Sequence, residues 1–568
     1  MAKIAKFSAL VMLGSMAVGA SACAGSHKYD LHLWHNFGAN YSGFIKESFV
    51  DPLLTNDGID LFADSKNSYD GIKEKITYSI APKTYPNIAT GYPDHFASYA
   101  RSGYPKSATG ILLNLNTYLD DPTLNAEHKA KYGYELREDY YPEYMVENNS
   151  ICYDLEDPDK FLTVGLPFNK STEVLGYNGL FMDYVVQEET KAGREIHVPT
   201  TWAEWETYGK IFRKYQMDLN GNYLVGTLSE DGDEKGSNLS ISKTPTSNVL
   251  LDFSQCKDDE TAVLSWDSLA NMFITLVRQF DSQFTSYTKE DRTQSKIADR
   301  HGYMEFFSDT VYEGAKDKSK TNKQKTIEAM EMVRRLYGTP VDVDADAATQ
   351  KAQLATRVFA TPSFFGGAYA SNAFADNKVL FTVCSTGGLS YNINPGQRFR
   401  VAPIPYNDAD LKFVISQGAN MTVFDRGNID KKDEYTWDQT CALAFKTVVK
   451  MTTGDYQATW AMKTGYYPAS KSATESEIYQ DFLASTEAIK DPIQRAYREG
   501  AQLNNDHYMN SSLKWTKFVD PGFDGSAKIR TKADSIVSTV VAKIGEATVA
   551  EILQDVYNDA DVRTYVRG

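Results

Sequence analysis

Apolar and polar positions change period along this chain, and the changes mark out its elements. Over residues 29–35, Leu31 and Leu33 alternate with His32 and Trp34, the pattern of a buried strand that ends at a turn. A loop over 36–41 follows, then a helix over 42–54 with Phe44, Ile45 and Phe49 inward. Ile72, Ile76 and Ile80 recur at four-residue spacing and predict an amphipathic helix over 69–80. Residues 92–99 read as a short strand after a proline turn, so strand, helix and strand follow one another as in a largely parallel sheet. A second such series starts near Phe161, with extended stretches at 162–167 and 173–177, a helix over 184–192, and Thr201 as the N-cap of the next helix. Residues 218–222 read as a hairpin turn, because the calcium-loop pattern they begin lacks its glycine at Tyr223 and its glutamate at Ser229. Further on, 326–336 is helical, 379–383 is a strand breaking at Cys384-Ser385-Thr386-Gly387-Gly388, 399–405 and 412–423 are two more strands, and the remainder is mainly helical.

Length turns these elements into an architecture. A single hydrophobic core stops growing at roughly 250–300 residues, so 568 residues imply two large lobes. No repeat or low-complexity linker separates them, which points to an α/β chain whose lobes are interleaved. The first 22 residues differ from the rest: Lys3 and Lys6, an apolar stretch over 7–18, and Ala20-Ser21-Ala22 before Cys23 form a signal peptide. Cys23 then admits two readings, a lipid-bearing residue after an imperfect lipoprotein box or the first residue after a plain A-x-A secretion site. Residues 23–28 are the tether. With 75 acidic against 59 basic residues the net charge is −16, which argues against nucleic acid and against polybasic docking on lipid. Cys152, Cys256, Cys384 and Cys441 are too sparse for a disulfide scaffold and admit one bridge or buried free thiols.

Catalytic signatures are missing. The chain has no G-x-S-x-G, P-loop, G-x-G-x-x-G, H-E-x-x-H or C-x-x-C. Asp120-Asp121 and the Glu156, Asp157, Asp159 cluster carry the carboxylates of a glycosidase, but they stand beside Pro122 and Pro158 in surface turns. His27, His32 and His35 form the densest histidine group, yet alternation on a strand sends His32 and His35 to opposite faces, so no metal site is assigned. The 36 Tyr and 7 Trp are more informative, since many tyrosines stand beside Gly or Pro in loops, where a ring offers an apolar face and a polar edge.

One stretch carries a resemblance. Residues 165–178, GLPFNKSTEVLGYN, followed by Pro199-Thr200-Thr201-Trp202, resemble the lobe-crossing segment of the extracellular solute-binding proteins of bacterial ABC importers, carbohydrate and glycerol-3-phosphate branch. Trp34-His35, Pro93-Asp94, Ser416-Gln417-Gly418-Ala419-Asn420, residues 460–468 (WAMKTGYYP) and residues 525–530 (GSAKIR) are similar to further motifs of that family, in its order, from Trp34 to Arg530. The resemblance implies a two-lobed periplasmic-binding-protein-like fold of type II. One lobe would comprise 29–168 with 401–458, the other 178–400 with 465–568, and 169–177 and 459–464 would cross between them.

For the site, the resemblance implies Ser171, Tyr69, Ser385, Thr386, Gly418 and Tyr466 as cleft-lining residues. His35, Asn36 and Tyr99 are added because strand ends facing an inter-lobe crevice are where α/β folds place ligands. A glutamate expected near Ala100 and a phosphate-pairing arginine before the late motif are not found: Pro521-Gly522-Phe523-Asp524 stands there instead. A neutral carbohydrate, an oligosaccharide above all, is therefore expected over a glycerophosphodiester or polyol. The expected protein is a monomeric binder without cofactor, whose partners are the importer's permease subunits and, through Cys23, the membrane. A secreted carbohydrate-active enzyme and a sensor subunit are the alternatives. Residues 227–320 and 340–375 exceed what two ordinary lobes require and could lengthen or cap the cleft.

Overall fold

A computed structural model describes residues 27–567 except 103–107, 150, 155, 156, 158, 229–235, 295–299, 395–397, 486–488 and 490. The signal-peptide and Cys23 expectations, with Glu156, Pro158 and Ser229, lie outside the described residues.

Two mixed sheets organise the molecule. The first runs Leu61–Ser65, Leu31–His35, Ile88–Gly91, Asn420–Val423, Leu166–Pro167, its first three strands parallel and the fourth antiparallel to both neighbours. The second runs Leu264–Trp266, Phe381–Ser385, Ser171–Asn178, Phe413–Gln417, Thr516–Phe518, with Phe399–Ala402 also paired to Ser171–Asn178. Each has its own core: Leu31, Phe49, Phe168 and Trp460 are buried behind the first sheet, while Trp202, Trp205, Trp266 and Phe381 are buried around the second. Burying one such side chain is worth roughly 1.5–3 kcal/mol, so each lobe is held by its own apolar packing. This is the two-lobed α/β architecture expected.

The chain passes from the first sheet to the second through Phe168, Asn169 and Lys170, and returns through Gly418 and Ala419. The expected return at 401 is corrected: Phe399–Ala402 and Phe413–Gln417 are both laddered to Ser171–Asn178, so 399–417 belongs to the second sheet. The apolar run over 412–423 hid the break, because Gly418 takes φ +116 and splits it into two strands in different sheets. Residues 459–464 likewise do not cross; they end the helix Gly454–Thr464, whose Trp460 packs in the first core.

Two local readings also change. Residues 92–99 are not a strand: Ile88–Gly91 is the strand, and Pro93–Arg101 is a helix with proline in its first turn, Asp94 beside it, and His95, Phe96, Ala97, Tyr99 and Ala100 buried. Burial on several faces erased the helical period, and the proline marked the start of the helix. Residues 218–222 are not a hairpin but the junction of the helix Trp202–Leu219 with the strand Tyr223–Leu228, turned by Gly221 at φ +76. By contrast, Thr201 caps its helix through a reciprocal pair with Glu204, and the helices predicted at 69–80 and 326–336 stand at Tyr69–Ser79 and Asn322–Tyr337. Cys152, Cys256, Cys384 and Cys441 are buried free thiols. No helix among the described residues is long and apolar enough to cross a membrane.

Candidate ligand-binding site

A cavity of about 750 Å³ opens where the two sheets face each other. The first lobe contributes the start of the helix Tyr69–Ser79 with Ser68, and the turn Tyr92, Pro93, Asp94, His95 that follows the strand Ile88–Gly91. The second contributes Ser268, Ile274, Phe284, Thr285, the strand end Ile415, Ser416, Gln417, the segment 519–522, and Arg530 with its helix neighbours. Both walls thus carry strand ends and helix N-termini, the parts of an α/β sheet that leave backbone donors pointing outward. Of the two long segments singled out as extra, 227–320 supplies wall residues between Ser268 and Thr285, and 340–375 supplies Tyr369.

The cavity wall holds polar atoms that have no partner among the described residues. His95 Nδ1, Thr285 Oγ1, Ser416 Oγ and Asp520 Oδ2 are all buried and make no hydrogen bond among the described residues. An orphaned buried group costs about 1–3 kcal/mol, and several on one cavity wall mark a place where a ligand or water completes the set. Burial raises the Asp520 carboxyl to about 6, against the pull of Arg278 and Arg530. Burial also lowers His95, with Asp94 opposing, so its ring is held toward the neutral form. Arg530 donates to Asn271 Oδ1, Asn271 Nδ2 donates to Glu173 Oε1 at 2.9 Å and to Gln417 Oε1 at 2.8 Å, and Trp266 Nε1 donates to the same Glu173 oxygen at 2.8 Å. Glu173 is fully enclosed, and burial pushes its carboxyl up to about 7 despite those donors and Arg530.

Aromatic rings line the same space. Tyr69 and Tyr92 meet edge to face at 4.6 Å between centroids, and Tyr369 stands exposed on the cavity wall. Burial raises Tyr69 well above the ordinary phenol range, with Tyr92 and Tyr466 adding to it. Tyr466 in turn senses Tyr41, Tyr391 and Tyr497, so a band of tyrosines from both lobes continues beyond the cavity.

The expected site residues divide between the cavity and its surroundings. Tyr69 and Gly418 line it. Asn36 sits beside Tyr69, and the Tyr466 ring lies over Gly387, where a Cβ would come within 2.6 Å of it. Ser171 is buried in the ladder opposite Gln417. Ser385 and Thr386 join the strand Phe381–Ser385 to a 3-10 turn, Thr386 fully buried against Gly465 and Gly500. His35 is a core residue: its Nδ1 accepts from the Phe37 N–H at 3.2 Å, and burial lowers it to about 4. Tyr99 packs on Phe96 and Phe424 in the first lobe and does not line the cavity, because its segment is helical. His27 and His32 reach Asp60 at 2.6 Å and Asp430 at 2.9 Å, in separate hydrogen bonds.

The sequence reading missed His95, Thr285, Ser416, Asp520 and Arg530. Ser416 stands two residues from Gly418, and Arg530 closes the late motif at 525–530. The cavity therefore does contain an arginine, at the motif itself and not before it.

Comparison with solved structures places this geometry. UgpB from Mycobacterium tuberculosis, in complex with glycerophosphocholine, matches with a TM-score of 0.53 at 16% identity, over 94% of this chain and 97% of that one. An ABC substrate-binding protein from Listeria monocytogenes, in complex with cycloalternan, matches with 0.56 at 14% identity, over 94% and 98%. The chain has the fold of the ABC-importer solute-binding proteins. The GacH receptor of Streptomyces glaucescens, solved without ligand and with acarbose, matches at 0.53 and 12% identity over 94% and 98%. No family model matches the chain, and no curated protein does. The cavity lies at the seam between the two sheets of that fold.

Proposed function

We propose that this chain is the exported solute-binding component of an ABC importer, held to the membrane through a lipid on Cys23, which captures a carbohydrate in the seam cavity and delivers it intact to permease subunits. One observation carries the reading: a large cavity walled by both lobes, lined with tyrosines and with buried polar atoms that have no partner among the described residues. Tyrosine faces suit the C–H faces of a sugar, and the orphaned groups suit its hydroxyls. A guest touching both walls favours the closed arrangement by its differential affinity for it. The fold and the sugar complexes among its structural neighbours support the same reading.

A thermal-shift screen of purified protein against oligosaccharides, followed by mass spectrometry of the recovered sugar, tests it. A binder present at 100 times its Kd adds about 2.7 kcal/mol to the native state, a clear upward shift in Tm. The sugar should come back unaltered. Turnover would replace this reading with the carbohydrate-active enzyme; no shift with any sugar would overturn carbohydrate capture. A glycerophosphodiester is the second reading, favoured by Arg530 in the cavity wall.

A further inference from the structure

We propose that His95 and Asp520, one from each lobe, are the specificity-determining acceptors of the cavity, and that they select uncharged, hydroxyl-donating solutes and reject anionic phosphodiesters. The inference deepens the solute-capture reading and rests on it.

His95 is 4% exposed, on the first turn of the helix Pro93–Arg101, and its Nε2 lies 3.8 Å from Asp94 Oδ2. With the ring proton on Nε2 toward that carboxylate, Nδ1 is a lone-pair acceptor with no donor among the described residues. Across the cavity, Asp520 Oδ2 is a second buried acceptor without a donor. Ser416 and Thr285, 5% and 2% exposed, add two hydroxyls that rotate to give or take a hydrogen bond. A guest that satisfies this set must offer at least two donors, as the several hydroxyls of a sugar do.

The cavity's arginine does not reverse that preference. Arg530 is tied to Asn271 and is held electrostatically by both Glu173 and Asp520. The remaining charged groups on the wall are mostly acidic: Asp70, Asp94 and Asp534, with Glu147 bonded to Lys170. A phosphodiester would place its charge against these carboxylates with its one candidate cation already engaged, and burying such a charge without a partner is costly.

Isothermal titration of the purified protein with maltotriose, cellotriose, mannotriose and glycerophosphocholine decides the matter. At least one neutral trisaccharide should bind more tightly than glycerophosphocholine. Asp520→Asn, which keeps shape but turns an acceptor-only group into an amide, and His95→Phe should each weaken that saccharide roughly tenfold to a hundredfold, the range for a lost hydrogen bond to a charged or buried acceptor. Ser416→Ala, read with circular dichroism to confirm folding, keeps the test alive if either variant is unfolded, and it too should weaken binding. The proposal is overturned if the variants bind the saccharide as the parent does, or if glycerophosphocholine binds best, an outcome that leaves solute capture standing. Binding of no panel member would overturn both the proposal and carbohydrate capture.

Discussion

Gly418 shows how a single position sets the path of the chain. Its φ of +116 lies where only glycine rests easily, and a Cβ built there would come within 1.6 Å of the Asn169 carbonyl oxygen. The crossings at 168–170 and 418–419 therefore touch at this point, and no side chain fits between them. Gly418→Ala should destabilise the protein by roughly 4 kcal/mol or more, since strain and overlap add. Gly58→Ala, at φ +68 but with open space around its Cβ, should cost only about 1 kcal/mol. Urea unfolding of the two variants separates these outcomes, and equal losses would show that overlap at the crossing is unimportant. The sequence pointed to Gly418 through its motif; Ser416 stands in the same motif without being marked as a site residue, and Asp520 carried no such signal. What distinguishes them is a missing partner, a property of three-dimensional surroundings.

At the level of elements, the crossing strands are locked by a buried polar cluster. The Lys170 ammonium is enclosed and donates to Glu147 Oε2 at 2.9 Å; Asn420 Nδ2 reaches the same oxygen at 3.2 Å. Trp460 Nε1 donates to Asn169 Oδ1 at 2.7 Å, and Gln457 Nε2 to the Phe168 carbonyl at 3.1 Å. Burial pulls the Lys170 pKa down, while the Glu147 carboxylate beside it opposes that shift. Lys170→Met strips the ammonium partner from a buried carboxylate and should cost about 3–5 kcal/mol, while Lys170→Met with Glu147→Gln should recover most of the loss. Chemical denaturation of the single and double variants measures the difference; a double variant no better than the single would assign the cost to packing. Element types were legible wherever a helix or strand has one wet face, as at Tyr69–Ser79. They were lost at Pro93–Arg101, where most faces are dry and periodicity carries no information.

Across the whole molecule, the lobes are also fastened outside the cavity. Arg101 pairs with Asp524, and Lys289 Nζ reaches Asp159 Oδ2 at 2.6 Å. Tyr153 donates to the Arg292 carbonyl and accepts from Arg300 Nη1 at 2.9 Å, while the Arg292 guanidinium stacks 4.9 Å from the Phe161 ring. The ion pairs are largely solvent-exposed and each contributes no more than roughly 0.2–1 kcal/mol. Together that still changes a closed-to-open ratio about fivefold. Arg101→Ala combined with Lys289→Ala should therefore raise the radius of gyration of the ligand-free protein in small-angle scattering, with little change in the unfolding midpoint. An unchanged scattering profile would show that these contacts do not govern the spacing of the lobes.

By itself the sequence determined the α/β class, the two-lobe division that length demands, the Thr201 helix cap and the order of the motifs, because these follow from local pattern and from how large a core can grow. Tertiary structure decided where the chain returns between sheets, which motif residues reach the cavity and which polar atoms are left unsatisfied there. Each of those depends on groups far apart in sequence: Gly418 against Asn169, His95 across from Asp520, and Arg530 beside Glu173. A local pattern cannot encode what lies on the other side of a cleft.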